Sequence, residues 1–339
     1  MHCNIKDIAK EAGVSHTTVS RILRNKEGFS YASETCEKVF NLAKSMGYTP
    51  NLAAQLMRLK ESNFVGIAIQ PASSYFSYIL IKKLTDEISA LSYTPVLIDL
   101  SKNDISYNAA ANVRPDLLCG IISQYEGLTR KALSLLRNYD SEIPIVSLGD
   151  DEYSPGVRYV SSDHAEGIRK AINYLREGGH ENICYTGHDG EHIKRSVSSQ
   201  YSEKSGLSHS EFLVTYGKYP DSFAAAESLV EKILSAKGIT AALCEDDEFA
   251  MGLISGFAKK GVRVPEEFSV IGYDDLPFAA YANPPLSTVR QNIPEIALQT
   301  AKLMISCIQA NENQRDLLPQ QIFVDTELVI RTSSGRKHI

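Results

Sequence analysis

Residues 5–23, with the sequence IKDIAKEAGVSHTTVSRIL, contain two short amphipathic patterns on either side of a glycine. Apolar residues repeat at helical spacing over residues 5–12 and again over residues 19–23. Gly13 permits a sharp turn between the two patterns, and Ser15 is a favourable N-cap for the second. This arrangement predicts a helix-turn-helix, a motif whose second helix enters the major groove of DNA. An ordinary helical hairpin is the alternative that amphipathicity alone leaves open.

Three short motifs in the same stretch are similar to those of a known family. Lys6–Ala9 (KDIA), Ala12–Ser15 (AGVS) and Thr18–Arg21 (TVSR) closely resemble the N-terminal signature of the lactose/galactose-repressor (LacI/GalR) family. The resemblance continues along the chain in segments such as Val160–Gly167 and Val264–Asp275. It implies an all-α helix-turn-helix headpiece followed by an α/β body that resembles periplasmic binding proteins, with two doubly wound lobes.

The resemblance also implies which residues of the head contact DNA. His16 and Thr17 fall at the start of the recognition helix, where the family varies to choose its operator. Arg21 falls where a guanidinium reaches a base edge, and a phosphate contact is its alternative role. Three further hydroxyls are better suited to phosphate oxygens, namely those of Ser15, Thr18 and Ser20.

A third helix is predicted over residues 33–45, and a short helical segment follows from Asn51. That segment resembles the family's hinge helix, which is too short to be stable alone and is expected to fold on DNA beside its dimer mate. In the family a leucine from each hinge enters the minor groove, and either Leu56 or Met57 has that role here. Asn51 and Ala53 are expected to contact DNA with it. A linker that contacts no DNA is the alternative.

Charge is distributed unevenly along the chain. Residues 1–60 hold nine Lys and Arg against five Asp and Glu, a balance of +4, whereas the whole chain has a formal net charge of −6. The rest of the chain therefore carries −10. A basic head on an acidic body fits a head that meets phosphates and a body that does not.

Cysteine usage and hydropathy bear on the compartment. The six cysteines are widely spaced and include no Cys-x-x-Cys pair, which argues against a zinc module or a disulfide framework and suits a reducing environment. No segment resembles a signal peptide, and no apolar run is long enough to span a bilayer. We therefore expect a cytoplasmic protein without a membrane segment, a metal or another cofactor.

Beyond residue 61, short apolar runs typical of buried parallel strands alternate with helical patterns, which predicts doubly wound α/β lobes. The predicted strands are Phe64–Ile69, Pro95–Ile98, Leu117–Ser123, Ile143–Leu148, Asn182–Thr186, Ala241–Cys244 and Phe268–Tyr273. The predicted domains are a headpiece (1–50), a hinge (51–61) and a ligand-binding and dimerisation body (62–339). The resemblance divides this body into a proximal lobe (62–160 and 291–320) and a distal lobe (161–290 and 321–339).

Ligands of such sheets bind at the carboxyl ends of the strands, and Asp274 follows a predicted strand. The family resemblance adds Asp246 and, more loosely, Arg195 as effector contacts, while Tyr75 is expected to supply an apolar wall. A carboxylate–guanidinium set suits a neutral polyhydroxylated ligand, and paired carboxylates repel a phosphorylated one. Helix capping by Asp274 and plain packing of Tyr75 are the alternatives.

These features predict a homodimeric repressor of a carbohydrate-utilisation operon. It binds a palindromic double-stranded operator and is released by a small neutral sugar. Two alternatives are a corepressor-dependent regulator of the same family and a cytosolic sugar-binding receptor module without a DNA function. An enzyme is not expected, because the sequence has no Gly-x-Ser-x-Gly elbow, Walker loop or Rossmann glycine fingerprint.

Overall fold

The structure, a computed structural model, describes residues 4–23, 31–46, 62–69, 74–99, 117–124, 129–134, 143–149, 157–188, 213–216, 222–236 and 238–337. The chain divides into two compact units, Met1–Ser62 and Asn63–Ile339, which we call the head and the body. Within the described ranges, none of the helices combines the length and apolar character needed to cross a membrane.

The head has three helices that share one small core. They are α1 (Ile5–Ala12), α2 (His16–Leu23) and α3 (Ser33–Ser45). α1 begins at a capping box formed by Asn4 and Asp7, and it ends at Gly13, whose φ of 72° is left-handed. Apolar residues from all three helices are buried together: Ile8, Ala9, Ala12, Val19, Ile22, Val39 and Ala43. The predicted helix-turn-helix and third helix are therefore confirmed.

The body alternates strands and helices. Its strands are β1 (Phe64–Ile69), β2 (Thr94–Asp99), β3 (Gly120–Ser123), β4 (Ile145–Leu148), β5 (Arg158–Ser162), β6 (Ile183–His188), β7 (Leu213–Tyr216), β8 (Ala241–Cys244), β9 (Ser269–Asp274), β10 (Ser287–Gln291), β11 (Gln321–Val324) and β12 (Thr326–Val329). Its helices are α4 (Tyr75–Ala90), α5 (His164–Glu177), α6 (Ser222–Ser235), α7 (Asp247–Lys259), α8 (Ile293–Gln309) and the short α9 (Glu312–Arg315).

The strands form two six-stranded sheets, and each sheet with its helices makes one lobe. The first sheet has the order β11-β5-β4-β3-β1-β2, with all its pairs parallel. The second has the order β12-β10-β9-β8-β6-β7, in which only β10 and β12 pair antiparallel. Parallel pairing places the carboxyl ends of the strands at one edge of each sheet, where ligands of such folds bind.

Helices bury alternate side chains of these strands. In the first lobe, α4 and α8 pack on residues such as Val65, Ile67 and Ile122. In the second lobe, α6 and α7 pack on a set that includes Ala242 and Val270, while α5 packs on another set that includes Ala241 and Ile271. Because side chains of a strand alternate between faces, the second sheet is covered on both sides, as a doubly wound sheet requires.

The structure corrects two details of the sequence-based prediction. The first is the lobe boundary, because Gln321–Val324 pairs with β5 in the first sheet although residues 321–339 were assigned to the distal lobe. The second is the burial of the strand predicted at Pro95–Ile98. β2 pairs with β1 alone at the edge of the sheet, and Leu97 is 52% exposed.

We expect Leu253→Ala in α7 to lower the free energy of unfolding by about 2–5 kcal/mol, because the side chain is fully buried and its loss leaves a cavity. The matched control is Leu317→Ala, whose side chain is 84% exposed and whose loss should cost no more than about 0.5 kcal/mol. Urea unfolding followed by circular dichroism measures both. Equal shifts of the two midpoints would contradict the assigned core.

Candidate functional site

The second helix of the head presents a polar face. His16, Thr17 and Arg21 are exposed, whereas Val19 and Ile22 on the same helix are buried. A helix whose apolar side chains are all turned into the core leaves this face available to contact another molecule. The sequence predicted this division, and the structure places the three polar side chains together on α2.

Ser15 caps the same helix. Its hydroxyl oxygen accepts the backbone N–H of Thr18 at 3.0 Å and lies 2.7 Å from the Thr17 hydroxyl and 2.8 Å from the Thr18 hydroxyl. Three hydroxyls thus cluster at the start of α2, beside backbone N–H groups that favour anions such as phosphate. Ser20 is partly buried one turn further along.

Five predicted site residues lie outside the described residues. They are the hinge residues Asn51, Ala53, Leu56 and Met57, and the proposed effector contact Arg195.

In the body, Asp274 lies at the carboxyl end of β9 and is 6% exposed. Its Oδ1 accepts a hydrogen bond from Gln291 Nε2 at 2.6 Å, and Gln291 Oε1 in turn accepts one from the Ser162 hydroxyl at 2.6 Å. Ser162 ends β5 of the first sheet, and Gln291 ends β10 of the second. A chain of two hydrogen bonds therefore joins Asp274 to the other lobe.

Sequence analysis missed Gln291 and Ser162. Both are the last residues of strands that were not among those predicted. Ser162 belongs to Val160–Gly167, which carries the family resemblance, and Gln291 ends a further such segment, Pro284–Gln291. The available signal was a polar residue within or at the end of such a segment.

Asp246 caps α7, since its Oδ1 accepts the Phe249 N–H at 2.6 Å and its Oδ2 lies 3.4 Å from the Ser222 hydroxyl. The helix-capping role considered for Asp274 thus belongs to Asp246. Its position two residues after β8 still puts it at the carboxyl edge of the second sheet, together with Asp274.

The adjacent carboxylates Asp274 and Asp275 have different partners. Asp275 accepts from Arg290 and from Arg331, both at 2.7 Å, and Arg290 also binds Glu327 at 2.8 Å. Two guanidinium groups therefore neutralise Asp275, whereas Gln291 binds Asp274 through an uncharged amide.

Asp247, the first residue of α7, is fully buried. Burial raises the pKa of its carboxyl well above the usual range, and the negative charge of Asp274 adds to the increase. Hydrogen bonds from Thr288 and from the Leu276 N–H oppose this increase. Sequence analysis missed this residue, which follows Glu245 and Asp246 directly after a buried strand.

Two aromatic rings meet between the lobes. Tyr75 starts α4 after β1 of the first sheet, and Phe278 follows β9 of the second sheet. Their ring centroids are 5.4 Å apart with the planes tilted by 49°, and Tyr75 is 40% exposed. The predicted aromatic wall residue Tyr75 therefore lies at the carboxyl edge of the first sheet and contacts the other lobe.

Gln124 directly follows β3 at the same edge of the first sheet. The side chain is buried, and within the described residues its Oε1 has no hydrogen-bond partner. A buried acceptor in this state is costly unless a bound group donates to it.

No cluster of three or more His, Cys, Asp or Glu that could hold a metal occurs among the described residues.

Two family models and a relative of known description match the chain. Residues 4–51 match the model described as bacterial regulatory proteins, lacI family, and residues 172–334 match the periplasmic binding protein-like domain. The chain is 30% identical to the probable HTH-type transcriptional repressor ExuR of Bacillus subtilis, over 98% of each chain.

Solved structures show the same fold. The lac repressor dimer bound to operator and the anti-inducer ONPF aligns with a TM-score of 0.81, at 20% identity, over 99% of this chain and 100% of that one. The transcriptional regulator CelR in complex with cellobiose aligns with a TM-score of 0.68, at 20% identity, over 98% of this chain and 100% of that one.

Asp247 should make the stability of the protein depend on pH. Because its pKa is higher in the folded than in the unfolded state, its contribution is present below the unfolded pKa, at about 4, and is lost as the pH increases through the folded pKa. Asp247→Asn removes this titration. The free energy of unfolding of the wild type minus that of the variant should therefore fall as the pH increases above about 4.

Urea unfolding in steps of about half a pH unit between about pH 4 and pH 8 measures this difference. The exposed Asp325→Asn is the matched control and should give a much flatter difference. A difference that increases with pH for Asp247→Asn would show that folding lowers the pKa of Asp247 and does not raise it.

Proposed function

Because this chain belongs to the lacI family of bacterial regulatory proteins, we propose that it is a repressor that leaves its operator when a small neutral sugar binds the body. Like the family, it is a DNA-binding transcriptional regulator and not an enzyme. The observation that carries the DNA-binding part is the polar face of α2, set opposite the buried Val19 and Ile22. We place the protein in the bacterial cytoplasm, where its operator is.

In this proposal, residues 1–50 form the DNA-binding headpiece, residues 51–61 the hinge and residues 62–339 the body. His16, Thr17 and Arg21 contact base edges, and the hydroxyls of Ser15, Thr18 and Ser20 bind phosphates. Asn51, Ala53 and one of Leu56 and Met57 bind the minor groove. A homodimer presents two such heads, and its two-fold symmetry calls for a palindromic operator.

The proposed effector site lies between the carboxyl edges of the two sheets. Asp274 and Asp246 supply carboxylate oxygens that accept hydrogen bonds from sugar hydroxyls, and Arg195 donates to them. Tyr75 supplies an apolar wall on the side of the first lobe. The cellobiose complex of CelR, which has the same fold, supports a sugar as the ligand class.

The hydrogen bonds from Ser162 through Gln291 to Asp274 provide a route from the effector to the first lobe. A sugar hydroxyl that donates to Asp274 competes with the Gln291 amide for the same carboxylate. Displacing that amide weakens its hold on Ser162 in the other lobe. The two lobes then favour a different arrangement, and by linkage the operator and the sugar each weaken the binding of the other.

We expect Arg21→Ala to relax base preference at one operator position and to cost roughly 1–3 kcal/mol on the preferred sequence. The matched control is Lys38→Ala, an exposed basic residue on α3 that should change affinity evenly across sequences. Selection from a random duplex library, followed by affinity measurements at several salt concentrations, tests both. Equal weakening on all sequences would assign Arg21 to a phosphate. A duplex affinity without inverse salt dependence would favour a sugar receptor without a DNA function.

We expect a neutral sugar to raise the melting temperature in a panel of neutral sugars, phosphosugars and nucleobases, since a ligand of the folded state stabilises it. Asp274→Asn should then lower the affinity for that sugar roughly ten- to hundredfold, because a hydrogen bond to a charged group is lost. The exposed Asp316→Asn is the control and should bind as the wild type does.

The same sugar should lower operator affinity, whereas an increase would identify the corepressor-dependent alternative. Stabilisation by a phosphosugar or a nucleobase alone would contradict the neutral-sugar assignment.

A further inference from the structure

We infer that Asp247 and Thr288 are positioning residues that hold the turn after β9 and so set the place of Asp274. The inference deepens the proposed function, because it concerns the carboxylate that we assign to the effector. Neither residue is among those predicted to contact the effector, and both side chains are fully buried.

The backbone of this turn is unusual. Asp274 has a φ of 109° and Asp275 a φ of 53°, so two successive non-glycine residues lie in the left-handed half of conformational space. Side chains make that region unfavourable, and residues stay there only where the surroundings hold them. The direction in which Asp274 leaves the strand therefore depends on contacts made elsewhere.

Those contacts come from α7 and β10. Asp247 Oδ2 accepts the Leu276 N–H at 2.7 Å, and its Oδ1 accepts the Thr288 hydroxyl at 2.6 Å. The oxygen of that hydroxyl also lies 3.3 Å from the Asp275 nitrogen, whose N–H it accepts. One buried carboxylate thus holds two successive N–H groups of the turn, the first through Thr288 and the second directly.

The neighbouring strand is shaped to admit this carboxylate. A Cβ at Gly272 would lie 2.3 Å from Asp247 Oδ1 and 2.9 Å from a methyl group of Leu286, so only glycine fits on β9 at this point. Asp247 is the first residue of α7, and its side chain is fully buried at this point of the sheet. The charge of Asp275 nearby is neutralised by Arg290 and Arg331.

With the turn held in this way, Asp274 Oδ1 meets Gln291 Nε2 at 2.6 Å. Loss of the Thr288 hydroxyl would release the Asp275 N–H and free the turn to leave its left-handed conformation. Asp274 would then lose its fixed position, although every residue expected to touch the sugar would still be present.

Thr288→Val in the full-length protein tests this inference, because valine has nearly the same shape and lacks only the hydroxyl. Thr288→Ser restores the hydroxyl. Thr300→Val is the matched control, since Thr300 is equally buried but its hydroxyl donates to the Ile296 carbonyl at 2.7 Å within α8. Amide hydrogen exchange over residues 274–276 is the first readout, and it requires no ligand.

We expect exchange in this segment to be at least roughly tenfold faster in Thr288→Val, near wild type in Thr288→Ser and unchanged in Thr300→Val. Exchange across β8 should be the same in all four proteins. Unchanged exchange at residues 274–276 in Thr288→Val, or an equal increase in Thr300→Val, would overturn the inference.

The second readout is the affinity for each sugar that stabilises the wild type, with D-glucose and cellobiose as the first probes. Thr288→Val should lower the affinity for that sugar at least roughly tenfold, and Thr288→Ser should recover most of the lost affinity. An unchanged sugar affinity beside faster exchange would show that the turn does not position an effector contact. If no sugar binds the wild type, the proposed effector class fails, while the exchange result still decides whether these residues hold the turn.

Discussion

The chain passes between its two sheets three times among the described residues, and the arrangement of the site depends on this. These crossover segments follow β5, β10 and β11. Hydrogen bonds of backbone and side-chain groups connect them. The Asp163 N–H donates to the Val324 carbonyl at 2.8 Å, and the Thr326 hydroxyl donates to the Asp163 carbonyl at 3.1 Å. Ser162 and Gln291 end two of these strands, so the same connections that join the lobes also bring Asp274 within reach of both.

The acidic residues at the edge of the second sheet have different structural roles. Asp246 starts a helix, Asp247 holds a turn from within the core, and Asp275 binds two arginines. Each of these three carboxylates is bonded to groups of the protein that surround it. Asp274 accepts a hydrogen bond from the neutral amide of Gln291, and it is the carboxylate that we propose as the acceptor for sugar hydroxyls.

Sequence reasoning predicted the parts that short-range patterns encode. The head helices follow from amphipathic spacing and caps, and strands such as β1 and β8 follow from continuous apolar runs. β5, β10 and β12 mix polar and apolar residues, and their burial depends on neighbours far along the chain, so no local pattern indicated them. Asp274 was predicted because it follows an apolar strand. Gln291 and Thr288 were not, since their roles arise only when β10 lies beside β9.

The crossing from β11 to β12 has a consequence for how the lobes can move. Asp325 alone separates the two strands, and a single extended residue spans no more than about 3.6 Å. The lobes are therefore tethered closely at this point and cannot slide apart. What freedom they have is a swivel about the tether, so a ligand that draws the edges together must turn one lobe against the other. An effect of the ligand that reaches the first lobe is therefore a rotation of that lobe. Small changes near the tether become larger displacements at the far end of the lobe.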